Sequence, residues 1–254
     1  MIMPLRVVDT GLKPARWNFA MTAALAELHR GGEAPDTLRF LRFPPSAIVG
    51  RHQVLAREVR LDYCRVNGIE AARRTTGGGA SYMDPGILAW EIVAGRRLLG
   101  GGLSEATERV CTAVAAGLAR MGIPARFRSP ADIEVGGRKL CGTAGYFDGP
   151  TLVLHGTVLV EFDIGTMAEA LTVAGPTELA ARLVSVADVI PRVPPMAEIR
   201  DHLLAGLSEG LDVELAHGSL DRREIALAER LLTEEIGTDA FVAGKLDQEL
   251  ALSP

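Results

Sequence analysis

The sequence predicts an α+β fold: a mixed, largely antiparallel β-sheet with flanking helices. Three observations predict it. Two hairpin signals follow one another, Gly136-Gly137 and Asp148-Gly149, each set between strand-forming runs, which describes a meander. Amphipathic stripes of helical period stand near the start, the middle and the end of the chain. Strands and helices do not alternate regularly, as a doubly wound parallel sheet would require.

The elements follow in order. LRVVDT (5–10) has the β-branched, apolar character of a strand, and NFAMTAALAELHR (18–30) forms an amphipathic helix stopped by Gly31-Gly32. TLRFLRF (37–43) and SAIVG (46–50) are strands separated by Pro44-Pro45. RLDYCRVNG (60–68) is a short helix closed by Gly68, and IEAARR (69–74) is a strand leading into three consecutive glycines. Residues 80–93 read as two short strands around Asp84-Pro85-Gly86. Ser104 is the expected cap of a helix running to Met121, whose Ala106, Val110, Ala113, Val114, Gly117, Leu118 and Met121 make one stripe. The meander strands are 131–135, 138–147 and 151–162. Helices are expected at 166–172, 196–209 and 221–236, with a Pro-rich link at 191–195 and a loose tail after Gly237.

Composition narrows the function. The 254 residues are 48% hydrophobic and carry a net charge of −5, which argues against a general nucleic-acid binder, and no basic face stands out in the linear sequence. No run reaches the roughly 18 apolar residues of a membrane span, and a cytoplasmic location is expected. Cys64, Cys111 and Cys141 are odd in number and never spaced CxxC, which disfavours a disulfide framework or a zinc site. Of 27 basic residues only Lys13, Lys139 and Lys245 are lysines, so a lysine among glycines stands out.

Gly206-Leu207-Ser208-Glu209-Gly210 matches a nucleophile elbow, with Asp212 and His217 following in hydrolase order. An amphipathic helix precedes the serine where the elbow needs a strand, so this match is set aside. RRTTGGGASYMD (73–84) offers more. Bare N–H groups of Gly77, Gly78 and Gly79 suit an anion, and Arg74 and Arg73 stand ready to add charge-assisted bonds. In GGRKLCGTAG (136–145), Leu140, Cys141 and Ala144 are apolar neighbours that half-bury the stem of Lys139 and aim its ammonium into a cleft. In LHGTVLVEFD (154–163), His155 is either a core histidine or a site residue.

These three blocks resemble the lipoate-protein ligase A family of the biotin/lipoate ligase superfamily. The family's RRxSGGGAVxHD is similar to 73–84, its GRKISGSA to 137–144 and its HHGTLL…D to 154–163; IVGRHQ (48–53) and RLVSVADVI (182–190) are weaker echoes. The resemblance covers roughly 5–215 and implies one catalytic domain, with 196–254 as closing helices and tail. It implies that lipoate or octanoate reacts with ATP, carried with Mg2+, to give acyl-AMP, which a lysine of a lipoyl carrier domain then attacks. Lys139 would contact the acyl carbonyl and α-phosphate, and Arg74 the phosphate. Gly77, Gly78, Gly79, Ala80, Ser81, Tyr82, Asp132, Gly142, Thr143 and Ala144 would surround the adenylate, with Asp132 the one candidate for contact with the nucleotide's magnesium. The strands at 46–50 and 87–93 would wall a tunnel for the aliphatic chain.

Met83, Ala131 and Leu154 replace a histidine, an asparagine and a histidine of the family pattern. The single-chain ligases' accessory domain is not recognisable, which points to a possible separate accessory subunit. Two alternatives stay open. An ATP-independent octanoyl or lipoyl transferase would use Cys141, two residues from Lys139 and so on one face of a regular strand. A non-catalytic acyl or adenylate binder would keep the pocket without the chemistry.

Overall fold

The computed structural model describes residues 4–244. The first half comprises β1 (Leu5–Leu12), α1 (Ala15–Arg30), β2 (Thr37–Arg42), β3 (Ser46–Val49), α2 (Leu55–Glu58), α3 (Leu61–Val66), β4 (Glu70–Arg73), β5 (Ser81–Met83), β6 (Ile87–Gly95), α4 (Arg96–Leu99) and α5 (Leu103–Ala119). The second half comprises β7 (Arg126–Arg128), β8 (Asp132–Val135), β9 (Arg138–Asp148), β10 (Thr151–Leu159), α6 (Ile164–Ala170), α7 (Pro176–Arg182), α8 (Val186–Val189), α9 (Met196–Leu211), β11 (Leu215–His217) and α10 (Arg222–Glu234).

Eight strands form one sheet in the order β11-β1-β2-β6-β10-β9-β8-β7, and β4-β3-β5 form a second. Among the named strands of the described residues, only β1 with β11 and β2, and β3 with β4, pair in parallel. The α+β, largely antiparallel expectation holds, and the meander is β8-β9-β10 with β6 beyond it.

Alternation along the long strands builds two cores. Leu88, Trp90 and Ile92 of β6 join Leu152, Leu154 and Val158 of β10 under α5 and α9. Ala89 and Val93, with Val153 and Leu159, face the opposite side, where α1 and α10 pack. The small sheet adds Ile48, Ala72 and Met83 to this second core. The cleft opens between that face of the large sheet and the small sheet.

Several expectations need correction. The strands around Asp84-Pro85-Gly86 are not a hairpin: β5 pairs β3 in the small sheet, whereas β6 runs nine residues through the large one. Ser104 does not cap α5; Gly102 is the cap residue, and no side chain caps it. α1 begins at Ala15, three residues early, because the Glu70 carboxylate accepts the free N–H groups of Ala15 (2.6 Å) and Arg16 (3.3 Å). The tail is not loose directly after Gly237: 239–244 is helical and Val242 is buried. Residues 245–254, including Lys245, lie outside the described residues.

Candidate active site

β4 delivers Arg73 and Arg74 to opposite sides of the chain, as strand geometry requires. Arg74 turns inward beneath the glycine loop. Its guanidinium donates to the carbonyl oxygens of Gly77 (2.7 Å) and Gly79 (2.8 Å) and to Thr76 Oγ1 (3.1 Å), closing the loop on itself. Burial draws its pKa down to about 10, which leaves it cationic at neutral pH. Gly78 has φ +95°, a conformation that side chains disfavour, and a Cβ on the neighbouring Gly50 would lie 2.2 Å from the Gly78 oxygen.

Arg73 does not stand at the lip. It is buried, and it donates to the carbonyls of Gly50 (2.9 Å), Gln53 (2.7 Å), Val242 (3.0 Å) and Ala243 (2.8 Å). Its charge ties the carboxyl-terminal segment to the loop instead of meeting a ligand. Gly77 also falls outside the cleft lining, held from below through its carbonyl.

The cleft has a volume of about 540 Å³. It brings together Arg74, Gly78, Gly79, Ala80, Ser81, Tyr82, Asp132, Lys139, Gly142, Thr143, Ala144 and His155, all expected from the sequence. Lys139 lies across Gly142, where a Cβ would meet its Cε at 2.5 Å and its Nζ at 2.6 Å. The Nζ bonds Asp132 Oδ1 at 2.7 Å, and Arg128 Nη2 bonds Asp132 Oδ2 at 2.6 Å. Burial pushes the Asp132 carboxyl up, but the bonds from Lys139 and Arg128 outweigh it and hold it below its ordinary value.

Cys141 does not share a face with Lys139. Glu134 pairs Lys139 while Ile133 pairs Cys141, so Leu140 is one extra residue in β9 and a bulge resets the alternation. Leu140 and Cys141 both point into the α5 core, and Lys139 points into the cleft. Burial pushes the Cys141 thiol far above its ordinary pKa, the reverse of an activated thiolate. Cys64 and Cys111 are buried too, so no cysteine of the chain lines the cleft.

His155 combines both readings: it lines the cleft, and its Nε2 shares a 3.0 Å hydrogen bond with Thr76 Oγ1. Burial, with Arg74 and Arg39 nearby, lowers its pKa to about 3, so the ring is neutral.

The sheet register explains the cleft floor. Leu41, Ala89, Thr157, Gly142, Asp132 and Arg128 are successive cross-strand partners on β2, β6, β10, β9, β8 and β7. Every one of them lines the cleft. The row passes from apolar through small to charged. Arg128 and Glu91 are among the lining residues that the motifs did not point to. Arg128 sits on a three-residue strand whose signal is too short to read. Glu91, also in the cleft lining, is neutralised by fully buried Arg39 (2.7 Å) and bonded by Thr22 of α1 (2.7 Å); an alternating strand pattern predicts no such pair.

A resident metal does not fit this donor set. Both Asp132 oxygens are engaged, and no cluster of three His, Cys, Asp or Glu side chains stands together among the described residues.

The lipoyl protein ligase A/B catalytic domain model matches residues 14–208. The chain is 30% identical to octanoyltransferase LipM of Symbiobacterium thermophilum, over 92% of this chain and 96% of that one. Its fold is similar to a bi-partite lipoate protein ligase from Thermoplasma acidophilum, solved with its E2 lipoyl domain, with TM-score 0.87, 28% identity and coverage of 96% and 97%. It is similar also to a lipoate-protein ligase A bound with ATP, with TM-score 0.86, 28% identity and coverage of 95% and 99%. The chain thus belongs to the lipoyl protein ligase A/B catalytic domain family.

Proposed function

We propose that the chain is an ATP-dependent lipoate-protein ligase: it activates lipoate or octanoate as acyl-AMP and passes the acyl group to a lysine of a lipoyl carrier domain. The observation that carries this reading is the Lys139 ammonium laid over bare Gly142, midway along a floor that runs from apolar to charged. An adenylating enzyme needs a cation there, where the acyl carbonyl and α-phosphate meet, and it needs no protein nucleophile. Attack by the carboxylate on the α-phosphorus releases pyrophosphate; attack by the carrier lysine then releases AMP. Arg74 shapes the loop that cradles the phosphate, and the carboxylate of Asp132 aims Lys139.

Transfer without ATP is the second reading, favoured by the likeness to an octanoyltransferase. It needs a cysteine at the acyl carbonyl, and all three cysteines are buried away from the cleft. The bi-partite relative supports a lipoyl domain as acceptor and a second subunit as a further requirement for complete activity.

The test is acid-dependent exchange of pyrophosphate into ATP with lipoate, octanoate and biotin. Exchange with either of the first two acids, lost in Lys139→Ala, is the expected result. Failure with and without a second subunit, alongside octanoyl transfer from a carrier thioester and an acylated cysteine seen by mass spectrometry, would replace this reading with the transferase.

A further inference from the structure

We infer that Arg128 binds the pyrophosphoryl end of ATP, the β- and γ-phosphates before adenylation and the pyrophosphate after it. This inference rests on the adenylating reading and extends it to a residue that the cleft motifs do not contain.

The cross-strand row sets the direction of the ligand. Leu41 and Ala89 occupy one end and would be poor neighbours for a polyphosphate, because desolvating charge against apolar side chains is costly. Gly142, under Lys139, marks the middle, where the bond between acyl oxygen and α-phosphorus forms. One strand further stands Asp132, and one further again Arg128. The triphosphate therefore runs toward the β7 edge.

Arg128 is suited to that place in three ways. Its side chain is 46% exposed on an edge strand, so a highly charged product can depart directly to water. Its guanidinium already reaches back over Asp132, about one strand spacing, roughly 5 Å, from the row position of Gly142. A guanidinium also presents paired N–H donors that match phosphate oxygens. Ligand arrival does not strand its present partners. Asp132 keeps Lys139, and Glu134, which Arg128 meets at 3.4 Å, keeps Arg126 at 2.7 Å. In the reaction a carboxylate oxygen attacks the α-phosphorus, and the bond from that phosphorus to the oxygen bridging to the β-phosphate breaks. The bond's electron pair leaves with pyrophosphate, whose added negative charge Arg128 offsets.

The experiment compares wild type, Arg128→Ala and Arg128→Lys in three measurements: calorimetric titration with magnesium pyrophosphate, KM for ATP and pyrophosphate in acid-dependent exchange, and carrier acylation from preformed lipoyl-AMP. Arg128→Ala should weaken pyrophosphate binding and raise both KM values about ten-fold or more, with partial recovery in Arg128→Lys. Transfer from lipoyl-AMP, which needs no pyrophosphate, should fall clearly less than pyrophosphate exchange does. Equal pyrophosphate affinity in wild type and Arg128→Ala, equal losses in both half-reactions, or a wild type that binds no pyrophosphate would overturn the assignment. A wild type that binds pyrophosphate through Arg128 yet exchanges it with no acid, with or without a second subunit, would overturn the ligase reading and leave the anion site standing.

Discussion

Gly142 is where the smallest change should separate folding from chemistry. A Cβ there would clash with the flexible end of Lys139, at 2.5 Å from Cε and 2.6 Å from Nζ, and meet Asp132 Oδ1 at an ordinary 3.9 Å. Gly142→Ala should therefore fold normally while displacing the ammonium by roughly an ångström, and exchange should fall on the order of 100-fold. Thermal unfolding and pyrophosphate exchange on one preparation check both halves; a variant with lowered Tm and normal exchange would refute the placement. His155 makes a second prediction. Its folded pKa, about 3, lies below the ordinary value of 6.5. Above pH 6.5 the ring is neutral in both states and costs nothing. As pH falls from 6.5 towards 3, the unfolded chain takes up a proton that the folded chain refuses, so stability declines. His155→Gln should show a shallower loss of stability across that window, measured by denaturant unfolding at stepped pH. Residue identity alone separated Arg73 from Arg74 poorly: both are cations before a glycine loop, and only the strand's alternation, with Gly50, Gln53 and the carboxyl-terminal segment around Arg73, shows which one is a tether. Arg73→Met should cost about 3 kcal/mol or more, because several buried carbonyls lose a charged donor together; urea unfolding measures it.

Between elements, the pairing of α5 with α9 accounts for the nucleophile-elbow decoy. Gly206 and Gly210 are four residues apart on α9 and lie against Ala113 and Gly117 of α5. A Cβ on Gly206 would sit 2.4 Å from the Ala113 oxygen, and one on Gly117 would sit 2.6 Å from the His202 oxygen. These glycines permit close helix approach, and Ser208 spends its hydroxyl on the Val213 carbonyl at 2.7 Å. Gly206→Val should force the helices apart and cost about 1–3 kcal/mol in denaturant unfolding, whereas Ser208→Ala should leave exchange unchanged. Long strands, tight hairpins and amphipathic helices were legible because their signals are local. α7 and α8 were not, although Pro176 at the first turn and the Ser185–Asp188 capping box are signals of a kind that reading for long stripes passes over. The bulge at Leu140 was illegible for a different reason. It is a property of pairing between β8 and β9, and one extra residue there moves Cys141 from the cleft to the core.

Across the whole molecule, the proposed reading makes the eight-stranded sheet a ruler beneath the acyl-adenylate. From Gly142 to Leu41 the row crosses three strand spacings, roughly 14 Å. An extended eight-carbon chain is roughly 9 Å long at C–C bond lengths near 1.5 Å, so it reaches past Thr157 and over Ala89. The three motifs made the polar end of the cleft legible, since each is a contiguous block carrying its own chemistry. The apolar end was visible only as strands that could wall a tunnel, because its floor is assembled from β2 and β6, which the chain visits about fifty residues apart. Ala89 is the position where that length can be tested. It is small, buried and in the cleft lining, so Ala89→Phe would fill the row one strand short of Leu41 without touching Lys139, Asp132 or Arg128. Exchange supported by octanoate or lipoate should fall at least about ten-fold through KM for the acid, while hexanoate or butyrate should be activated as well as by wild type or better. A uniform loss across all chain lengths would instead mean that the acyl group does not lie along this row.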